Sequence, residues 1–394
     1  MHDLLFAYDF PPMGGGIARW MEAIAQGYPA GTLTVSTGAL PGSAASDERM
    51  PQHVDRIAVH AERLRTVQGL LAWSRRAVTL GRDPRARFAW CDTVRPAGYP
   101  AYWSLRRTGL PYGILVVGGD LLTLRQKVAR SVFKRRVMRS ILGDAAVLVA
   151  ISHWTAELCR TILHDMHLDA AMSRVRIVTL GTDPARWRPD PMAAAAFCRR
   201  RGLPAGRWLV TVARLVGYKG IDDGIRLLAR LVADHPDLHY AVVGRGPYQA
   251  SLRALSVELG VANRVHLLTD VADDELCAAY SIGEIYLGLT RETATDVEGF
   301  GLSFVEAAAC QLPVVATRSG GIPDAVKDGE TALLTEPGNL NAVVAAVDRL
   351  LQEPTLARRM GQAGRALVER YHNWTRVVME MRQIARQHER GGPV

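Results

Sequence analysis

Short apolar runs alternate with longer segments of helical periodicity throughout the first half of the chain. Apolar runs bounded by glycine, proline or polar residues are typical of buried strands, whereas periodic segments are typical of helices that cover a sheet. The pattern predicts helices at about 17–26, 67–80 and 99–107, among others. It predicts strands at Leu4–Tyr8, Leu33–Ser36, Ile57–Val59, Phe88–Cys91, Ile114–Val117, Ala146–Ala150 and Val175–Val178.

The same alternation restarts in the second half, after a proline-rich stretch without periodicity at 181–191. It predicts helices at about 221–233, 248–259, 274–280, 302–311 and 340–352, and a last helix at 374–387. It predicts strands at Trp208–Ala213, His239–Val243, Val265–Leu268, Ile285–Leu289, Val314–Thr317 and Ala332–Leu334.

Two successive βα alternations of similar size predict an α/β protein with two Rossmann-like, doubly wound parallel-sheet domains that face each other across a cleft. The predicted domains are 1–182 and 192–372, joined by a connection at 183–191. A C-terminal helical segment, 373–394, follows, and packing against the first domain is one option for it. Ligands of such sheets bind at the carboxyl ends of the strands.

The composition agrees with a soluble globular protein, because 394 residues with 48% hydrophobic and 22% charged side chains suit two ordinary cores. Five scattered cysteines without a Cys-x-x-Cys pair favour a reducing compartment over a disulfide framework or a zinc site. The start has no basic leader, and no apolar run is long enough to cross a membrane. We therefore expect a cytoplasmic protein, at most peripheral at the inner face of the membrane.

The net charge of +9 is concentrated in residues 125–139, which hold seven basic and no acidic side chains. These charges spread round most of a helix, so a solvated basic helix is one interpretation and contact with an anionic membrane surface is the other. No zinc-finger spacing and no basic sheet motif with interleaved aromatic residues is present, so nucleic acid is not an expected partner.

The stretch Glu298–Glu306 places two carboxylates around a glycine-rich turn that opens a predicted helix. Glycine lets the backbone approach a ligand closely, and the N–H groups of a helix start suit a diphosphate. Two carboxylates at this spacing can reach hydroxyls at opposite ends of a long polar ligand. The alternative is an ordinary strand–loop–helix joint with two solvated glutamates.

Three further loops follow predicted strands and carry polar or glycine residues. Arg214 and Lys219 lie in the loop after Trp208–Ala213, and Gly244-Arg245-Gly246 follows the next strand. The long loop 290–297 leads into Glu298. Each loop alone is weak evidence of function, but three of them at carboxyl ends of strands are much less expected by chance.

The arrangement resembles the family 4 glycosyltransferases, retaining enzymes of the two-domain GT-B fold. The resemblance covers nearly the whole chain, and the opening Asp9–Gly16 and the lead-in Asp296–Gly299 look most like the phosphatidylinositol mannosyltransferase branch. The motifs that carry it are Arg214 with Lys219, Gly244-x-Gly246-Pro247, Glu298-x7-Glu306 and Ser319-Gly-Gly-Ile-Pro-Asp324.

The resemblance implies transfer of a hexosyl unit from a GDP- or UDP-linked sugar to an acceptor hydroxyl, with a lipid-linked, glycan or cell-envelope acceptor favoured. Arg214 and Lys219 would hold the diphosphate, Glu298 the transferred sugar and Glu306 the ribose. The leaving phosphate would take the proton of the acceptor. No metal or cofactor is implied, and the chain contains no Asp-x-Asp. The implied donor-binding set is Gly15, Gly16, Gly244, Arg245, Gly246, Leu268, Val271, Gly299, Phe300, Gly301, Leu302 and Glu306.

One departure from the family pattern concerns the strand that ends at Val117, where the family usually has a histidine that contacts the donor sugar. Either Asp120 takes over part of this polar role, which would make it a catalytic residue with Arg214, Lys219 and Glu298, or the sugar is held differently. A sugar-nucleotide-binding GT-B protein with weak or altered catalysis is therefore a second hypothesis. A sugar-nucleotide epimerase is a third, disfavoured because the acid/base pairs that it needs are absent from the motifs.

Overall fold

The computed structural model describes residues 2–391, and the chain forms two structural units. The first unit runs to Leu180 and takes up the chain again from Trp374, and the second unit is Gly181–Asn373. The predicted connection, 183–191, belongs to the second unit. Met1 of the first predicted domain and residues 392–394 of the predicted C-terminal segment lie outside the described residues.

Short strands and amphipathic helices alternate along the chain, as the apolar pattern predicts. The strands are β1 His2–Phe6, β2 Leu33–Ala39, β3 His53–His60, β4 Ala86–Cys91, β5 Tyr112–Val116, β6 Val147–Ala150, β7 Val175–Ile177, β8 Arg207–Val212, β9 Leu238–Val243, β10 Val265–Leu268, β11 Ile285–Gly288, β12 Val314–Thr317 and β13 Ala332–Thr335.

The helices of the first unit's continuous part are α1 Gly16–Gly27, α2 Ser43–Asp47, α3 Val67–Gly81, α4 Gly98–Thr108, α5 Gly118–Ala129, α6 Val132–Asp144, α7 His153–Asp165 and α8 Asp169–Met172. The later helices are α9 Pro191–Arg201, α10 Ile221–Leu231, α11 Gln249–Glu258, α12 Leu276–Ser281, α13 Leu302–Ala309, α14 Ile322–Ala325, α15 Leu340–Gln352, α16 Pro354–Arg370 and α17 Trp374–Gln387. Single 3₁₀ turns occur at Ala61–Arg65 and Gly217–Lys219.

In the first unit the strands pair in the order β3-β2-β1-β4-β5-β6-β7, and each pair is parallel. The central strand β1 lies between β2 and β4, with Leu5 opposite both Val35 and Trp90. Both faces of this sheet are covered by helices, so its strands are almost continuously apolar and buried. The last helix, α17, packs against α1 and belongs to this unit.

In the second unit the order is β10-β9-β8-β11-β12-β13, again with parallel pairing. The order reverses beside β8, whose neighbours are β9 and β11. Loops that leave neighbouring strands on the two sides of such a reversal diverge, which opens room for a ligand at the carboxyl edge. The predicted α/β class with two Rossmann-like parallel sheets is confirmed.

The basic segment 125–139 is not one helix, contrary to the prediction. Helix α5 ends at Ala129 and α6 begins at Val132, because Ser131 caps the new helix by accepting a hydrogen bond of 3.3 Å from the N–H of Lys134. Charge alone did not reveal this interruption.

Among the longer helices, α9 and α16 are additions to the predicted elements. Each begins at a proline in the first helical position, which suits a residue without an N–H group. Asp190 also caps α9 by accepting a hydrogen bond of 2.8 Å from the N–H of Ala193. The prolines at 189 and 191 led to the prediction of a loop, but Pro191 is the first residue of α9. Within residues 2–391, no helix combines the length and apolarity that crossing a bilayer requires.

Candidate functional site

The loop after β8 places Lys219 against the loop after β11. Lys219 ends a 3₁₀ turn, and Gly220 follows with a φ of +65°. A Cβ atom at Gly220 would lie 1.7 Å from the carbonyl oxygen of Leu289, so only glycine allows the two loops to approach this closely. The backbone N–H of Arg291 donates to the carbonyl of Tyr218 over 2.7 Å and holds the second loop in place.

Lys219 and Glu298, both predicted site residues, form an ion pair through Nζ and Oε2. Their side chains are only 12% and 15% exposed. Burial by itself lowers the pKa of Lys219, but the charge of Glu298 and the hydrogen bond between the two groups outweigh it, so the pKa is raised. Lys219 is therefore charged near neutral pH, and its ammonium has N–H donors beyond the one that Glu298 accepts.

Arg214 lies close enough to Lys219 to lower the pKa of that ammonium by repulsion. Its guanidinium is exposed and donates a hydrogen bond of 3.1 Å to the hydroxyl of Tyr218. Two neighbouring cations repel each other until an anion binds between them, so the pair suits a ligand with two negative groups. The structure thus brings Arg214, Lys219 and Glu298 together.

The glycine-rich stretch after Glu298 forms a bend and then the start of α13. Gly299 and Leu302 are partly exposed, and Gly301 precedes the helix with a φ of +94°. Phe300 is buried, with 1% of its surface exposed, and its ring packs 5.6 Å from that of His372. The side chain of Phe300 therefore anchors the loop in the core, and only its backbone is left for a ligand.

A second contact holds the backbone of Glu298 itself. The N–H of Gly321 donates to the carbonyl of Glu298 over 2.8 Å, which ties the stretch 319–324 to the loop. This stretch was one of the motifs behind the family resemblance. Its observed contact indicates a positioning role for the loop that carries Glu298.

Glu306 lies inside α13 and is only 4% exposed. Its Oε2 accepts a hydrogen bond of 2.8 Å from the hydroxyl of Tyr280, a fully buried residue of α12. A buried carboxylate needs such donors, because burial without them is costly. Tyr280 was not singled out in the sequence, and no local pattern there connects it to a residue 26 positions away.

The predicted nucleoside-side residues also lie together, at the ends of β9 and β10. The N–H of Gly244 donates to the carbonyl of Leu268 over 3.0 Å, and Arg245 Nε donates to the carbonyl of Thr269 over 2.5 Å. Leu268 and Val271 are partly exposed beside this contact. The segment 266–271 is therefore held against the loop after β9.

The structure explains why positions 244 and 246 of this loop are glycine, which the sequence did not reveal. A Cβ atom at Gly244 would lie 2.0 Å from the carbonyl oxygen of Ala213, and one at Gly246 would lie 2.3 Å from that of Leu215. The N–H of Leu215 also donates to the carbonyl of Arg245 over 2.9 Å. The glycines allow the loops after β8 and β9 to pack backbone against backbone, whatever ligand they also meet.

Arg291 is a further residue that sequence reasoning missed. Its guanidinium pairs with Asp223 at 2.6 Å and with Asp222 at 2.9 Å, both in the first turn of α10. The pairing holds the loop 290–297 to the helix that follows Lys219. The only hint in the sequence is that Asp222 and Asp223 are neighbours in the chain. Such acidic pairs are too common to predict that they bind Arg291.

In the first unit, the predicted residues Gly15 and Gly16 lie at the start of α1. Gly15 has a φ of +121°, and no heavy atom lies within 4 Å of the position a Cβ would take. The backbone there is accessible, as the prediction of phosphate contact requires. That contact stays a prediction.

Asp120 caps its own helix instead of projecting freely from it. Its Oδ1 accepts a hydrogen bond of 3.2 Å from the N–H of Val117. Burial raises the pKa of Asp120 to about 7 in spite of backbone N–H donors, and the neighbouring Asp92 adds to the rise. Its Oδ2 has no hydrogen-bond partner among the described residues.

A pocket of about 360 Å³ borders Asp120 in the first unit. Three basic side chains, Arg65, Arg95 and Lys127, line it. Asp120, Tyr99 and Thr123 add oxygen atoms to its wall. Among its charged residues, the sequence singled out Asp120, and Lys127 lies in the basic segment 125–139.

Comparisons with known proteins show the family of the chain. A sequence model of the family described as "Glycosyl transferases group 1" matches residues 203–367. The GDP-mannose-dependent alpha-(1-6)-phosphatidylinositol monomannoside mannosyltransferase of Mycolicibacterium smegmatis is 32% identical over 365 residues, which cover 92% of each chain. The protein of the same name from Mycobacterium tuberculosis strain H37Rv is 29% identical over 97% of each chain.

The fold has solved counterparts as well. The crystal structure of Anabaena Alr3699/HepE in complex with UDP and glucose matches with a TM-score of 0.76, over 97% of this chain and 99% of that one, at 18% identity. Fold and site together define a GT-B glycosyltransferase that uses a nucleotide sugar. The chain belongs to the group 1, or family 4, glycosyltransferases, as its motifs predicted.

Proposed function

We propose that this enzyme transfers a mannosyl unit from GDP-mannose, with retention of anomeric configuration, to a hydroxyl group of a phosphatidylinositol-type glycolipid. The observation that carries the proposal is the contact of Lys219 with Glu298 beside Arg214. This contact places two cations that suit a diphosphate next to a carboxylate that suits the hydroxyls of a sugar. The names of the two mycobacterial relatives support GDP-mannose as donor and a phosphatidylinositol mannoside as acceptor.

In this proposal, Arg214 and Lys219 bind the diphosphate and stabilise the charge that grows on it as the glycosidic bond breaks. Glu298 accepts hydrogen bonds from the sugar hydroxyls and orients the sugar. Glu306 accepts hydrogen bonds from the ribose hydroxyls, with its carboxylate held by Tyr280. The leaving phosphate accepts the proton of the attacking hydroxyl, so the scheme needs no separate carboxylate base and no metal.

The pocket of the first unit suits the acceptor's headgroup. Arg65, Arg95 and Lys127 supply positive charge for a phosphodiester, and the carboxyl group of Asp120 borders the same pocket as a polar group for a polyol hydroxyl. A phosphorylated polyol combines both features. In this proposal Asp120 acts toward the acceptor, whereas the sequence offered a donor-sugar role for it as one of two alternatives.

The start of α6 supports contact with an anionic membrane. Val132 and Phe133 are 85% and 77% exposed, and Arg130, Lys134 and Arg135 lie next to them in the chain. Apolar side chains within a basic surface favour the interface of a bilayer with anionic lipids. The split of the basic segment into two helices places this apolar pair at a helix start.

A test is release of GDP from GDP-mannose with and without a phosphatidylinositol mannoside, compared with UDP-glucose and an ADP-sugar as donors. We expect GDP release that depends on the acceptor and an α-linked product by NMR. A β-linked product would contradict retention. Thermal stabilisation by GDP without release from any donor would favour the second hypothesis, a binding protein with weak catalysis, for which Val117 in place of a histidine is the motivating feature.

A further inference from the structure

A buried carboxyl group holds the point where the chain leaves β1. Asp92 directly follows β4 and is fully buried. Its Oδ2 accepts hydrogen bonds from the N–H groups of Tyr8, over 2.6 Å, and Asp9, over 2.9 Å. Its Oδ1 accepts one of 2.9 Å from the hydroxyl of Thr93. Because β1 ends at Phe6, Asp92 supplies an acceptor for N–H groups that lie beyond the strand.

An arginine of β3 holds the same loop from the other side. The largely buried Arg56 donates through Nη2 to the carbonyl of Pro11, and through Nη1 to that of Gly38 over 2.9 Å. Asp47 fixes this guanidinium by accepting from Nε over 3.1 Å and from Nη2 over 2.8 Å. The strand order β3-β2-β1-β4 puts Arg56 and Asp92 on opposite sides of β1. One donor and one acceptor therefore fix the first half of the loop that leads to α1.

The second half of this loop is open. Phe10 is buried, and its carbonyl accepts a hydrogen bond of 3.1 Å from the N–H of Met13. Gly14 and Gly15 follow, and no heavy atom lies within 4 Å of the position that a Cβ would take at either of them. The course of the backbone at these glycines therefore depends on the contacts that precede them and on α1, which follows.

We infer that Asp92 and Arg56 are positioning residues of the transfer reaction, which fix the loop 9–15 and thereby the N–H groups at Gly15 and Gly16. Neither of the two side chains is assigned a contact with a ligand. Their roles deepen the proposed function and rest on it, because the loop affects turnover only where the phosphate of the donor meets it. Groups that stabilise charge on a leaving phosphate tolerate little displacement.

A role in folding alone predicts a different result, because any buried polar contact then has the same kind of effect when it is lost. Two other side chains of the first unit allow the comparison, since they also bond backbone groups but at the amino ends of strands. Gln52 accepts a hydrogen bond of 3.1 Å from the N–H of Leu33, at the start of β2. Arg174 donates to two backbone carbonyls just before β6.

The first measurement is hydrogen exchange of the full-length protein, followed by mass spectrometry. Asp92→Ala and Arg56→Met should speed exchange in peptides that cover residues 8–16 by about tenfold, because the loop then opens without breaking these hydrogen bonds. Gln52→Ala and Arg174→Met are the matched controls and should leave exchange of this segment at the wild-type rate.

The second measurement is acceptor-dependent release of GDP from GDP-mannose. We expect kcat to fall by about tenfold or more in Asp92→Ala and Arg56→Met. KM should change less, because the charge that the loop meets grows on the phosphate only as the glycosidic bond breaks. The two controls, Gln52→Ala and Arg174→Met, should keep the kcat of the wild type.

Asp92→Asn is the conservative variant and should keep both exchange and turnover near the wild type. Its amide oxygen can accept from the N–H groups of Tyr8 and Asp9, and its NH₂ group can donate to the hydroxyl of Thr93. Burial raises the pKa of Asp92 to about 7, so the carboxyl group is already in part uncharged near neutral pH.

Three results would overturn the positioning roles. They are wild-type exchange of residues 8–16 in Asp92→Ala and Arg56→Met, kcat losses in these variants no larger than in the controls, or a loss in Asp92→Asn as large as in Asp92→Ala. If Asp92→Ala does not fold, Arg56→Met still decides. A wild type that releases no GDP from GDP-mannose would contradict the proposed donor, whereas hydrogen exchange needs no donor and would still show whether Asp92 and Arg56 hold the loop.

Discussion

The hydroxyl of Tyr280 donates a hydrogen bond of 2.8 Å to the carboxylate of Glu306, and both residues are buried. Burial and the nearby charge of Glu306 raise the pKa of Tyr280 well above its ordinary value, so the hydroxyl keeps its proton and remains a donor. One carboxylate oxygen of Glu306 is thereby fixed from the core side of α13. This hydrogen bond fixes the orientation of the carboxylate of Glu306 and makes Tyr280 a positioning residue for it.

Replacing Tyr280 by phenylalanine should weaken GDP binding, because Glu306 loses the donor that fixes its carboxylate. The variant should also lose about 1–3 kcal/mol of unfolding free energy, the usual cost of an unsatisfied buried polar group. Titration calorimetry with GDP and urea unfolding measure the two effects. Tyr102→Phe in the first unit is the control. Unchanged GDP affinity in Tyr280→Phe would contradict the positioning role.

Arg214→Ala and Lys219→Ala should each reduce turnover by about 10²-fold, the typical loss when one preorganised group that stabilises developing negative charge is removed. Arg214 is exposed, so its removal should leave the fold intact. Lys327→Ala, which removes an exposed lysine of the same unit, should leave GDP release unchanged. Near-wild-type turnover in Arg214→Ala and Lys219→Ala would exclude the diphosphate role.

Turnover should survive removal of divalent metal, because Arg214 and Lys219 supply the positive charge that a metal would otherwise bring to the diphosphate. The measurement is GDP release after dialysis against EDTA, with and without added Mg²⁺ or Mn²⁺. A strict requirement for either ion would contradict the metal-independent scheme.

The buried carboxyl groups of Asp92 and Asp120 should make the protein lose stability as pH rises toward neutrality. Burial raises the pKa of each to about 7, above the ordinary value of about 3.9. Between these values the folded state binds more protons than the unfolded state. The free energy of unfolding therefore falls as pH rises through this window and levels off above about pH 7.

Asp120→Asn should flatten this slope in urea unfolding between about pH 5 and pH 7. Asp83→Asn is the control, since hydrogen bonds from Arg85 lower the pKa of Asp83 to about 2 and keep it ionised throughout that range. Parallel pH profiles for wild type and Asp120→Asn would show that Asp120 is not protonated in the folded state.

Phe133→Ser should weaken binding to vesicles that contain phosphatidylinositol, because it removes an apolar side chain from the basic start of α6. Binding of the wild type should also need anionic lipid and fall with added salt. Co-sedimentation measures both. Val257→Ser, which changes an exposed apolar residue of the second unit, is the control. Equal binding of wild type and Phe133→Ser would show that the start of α6 does not contact the membrane.

Much of the candidate site was predictable because its residues lie in loops directly after apolar runs. Arg214 and Lys219 follow β8, and Glu298 follows the long loop after β11, so strand prediction alone placed them at one sheet edge. Their direct contact was not predictable. Lys219 and Glu298 are 79 residues apart, and no local rule specifies which of several acids a lysine will meet.

Patterns of apolar spacing, glycine and proline act over a few residues, so the sequence by itself determined the α/β class, most strands and the family motifs. It misplaced the ends of elements and missed α9 and α16, each of which begins at a proline. Only the tertiary structure decided which distant side chains meet, such as Tyr280 with Glu306 and Arg291 with Asp222. Such pairs depend on how helices pack on the sheet, because burial forces polar groups to find partners wherever the fold brings them together.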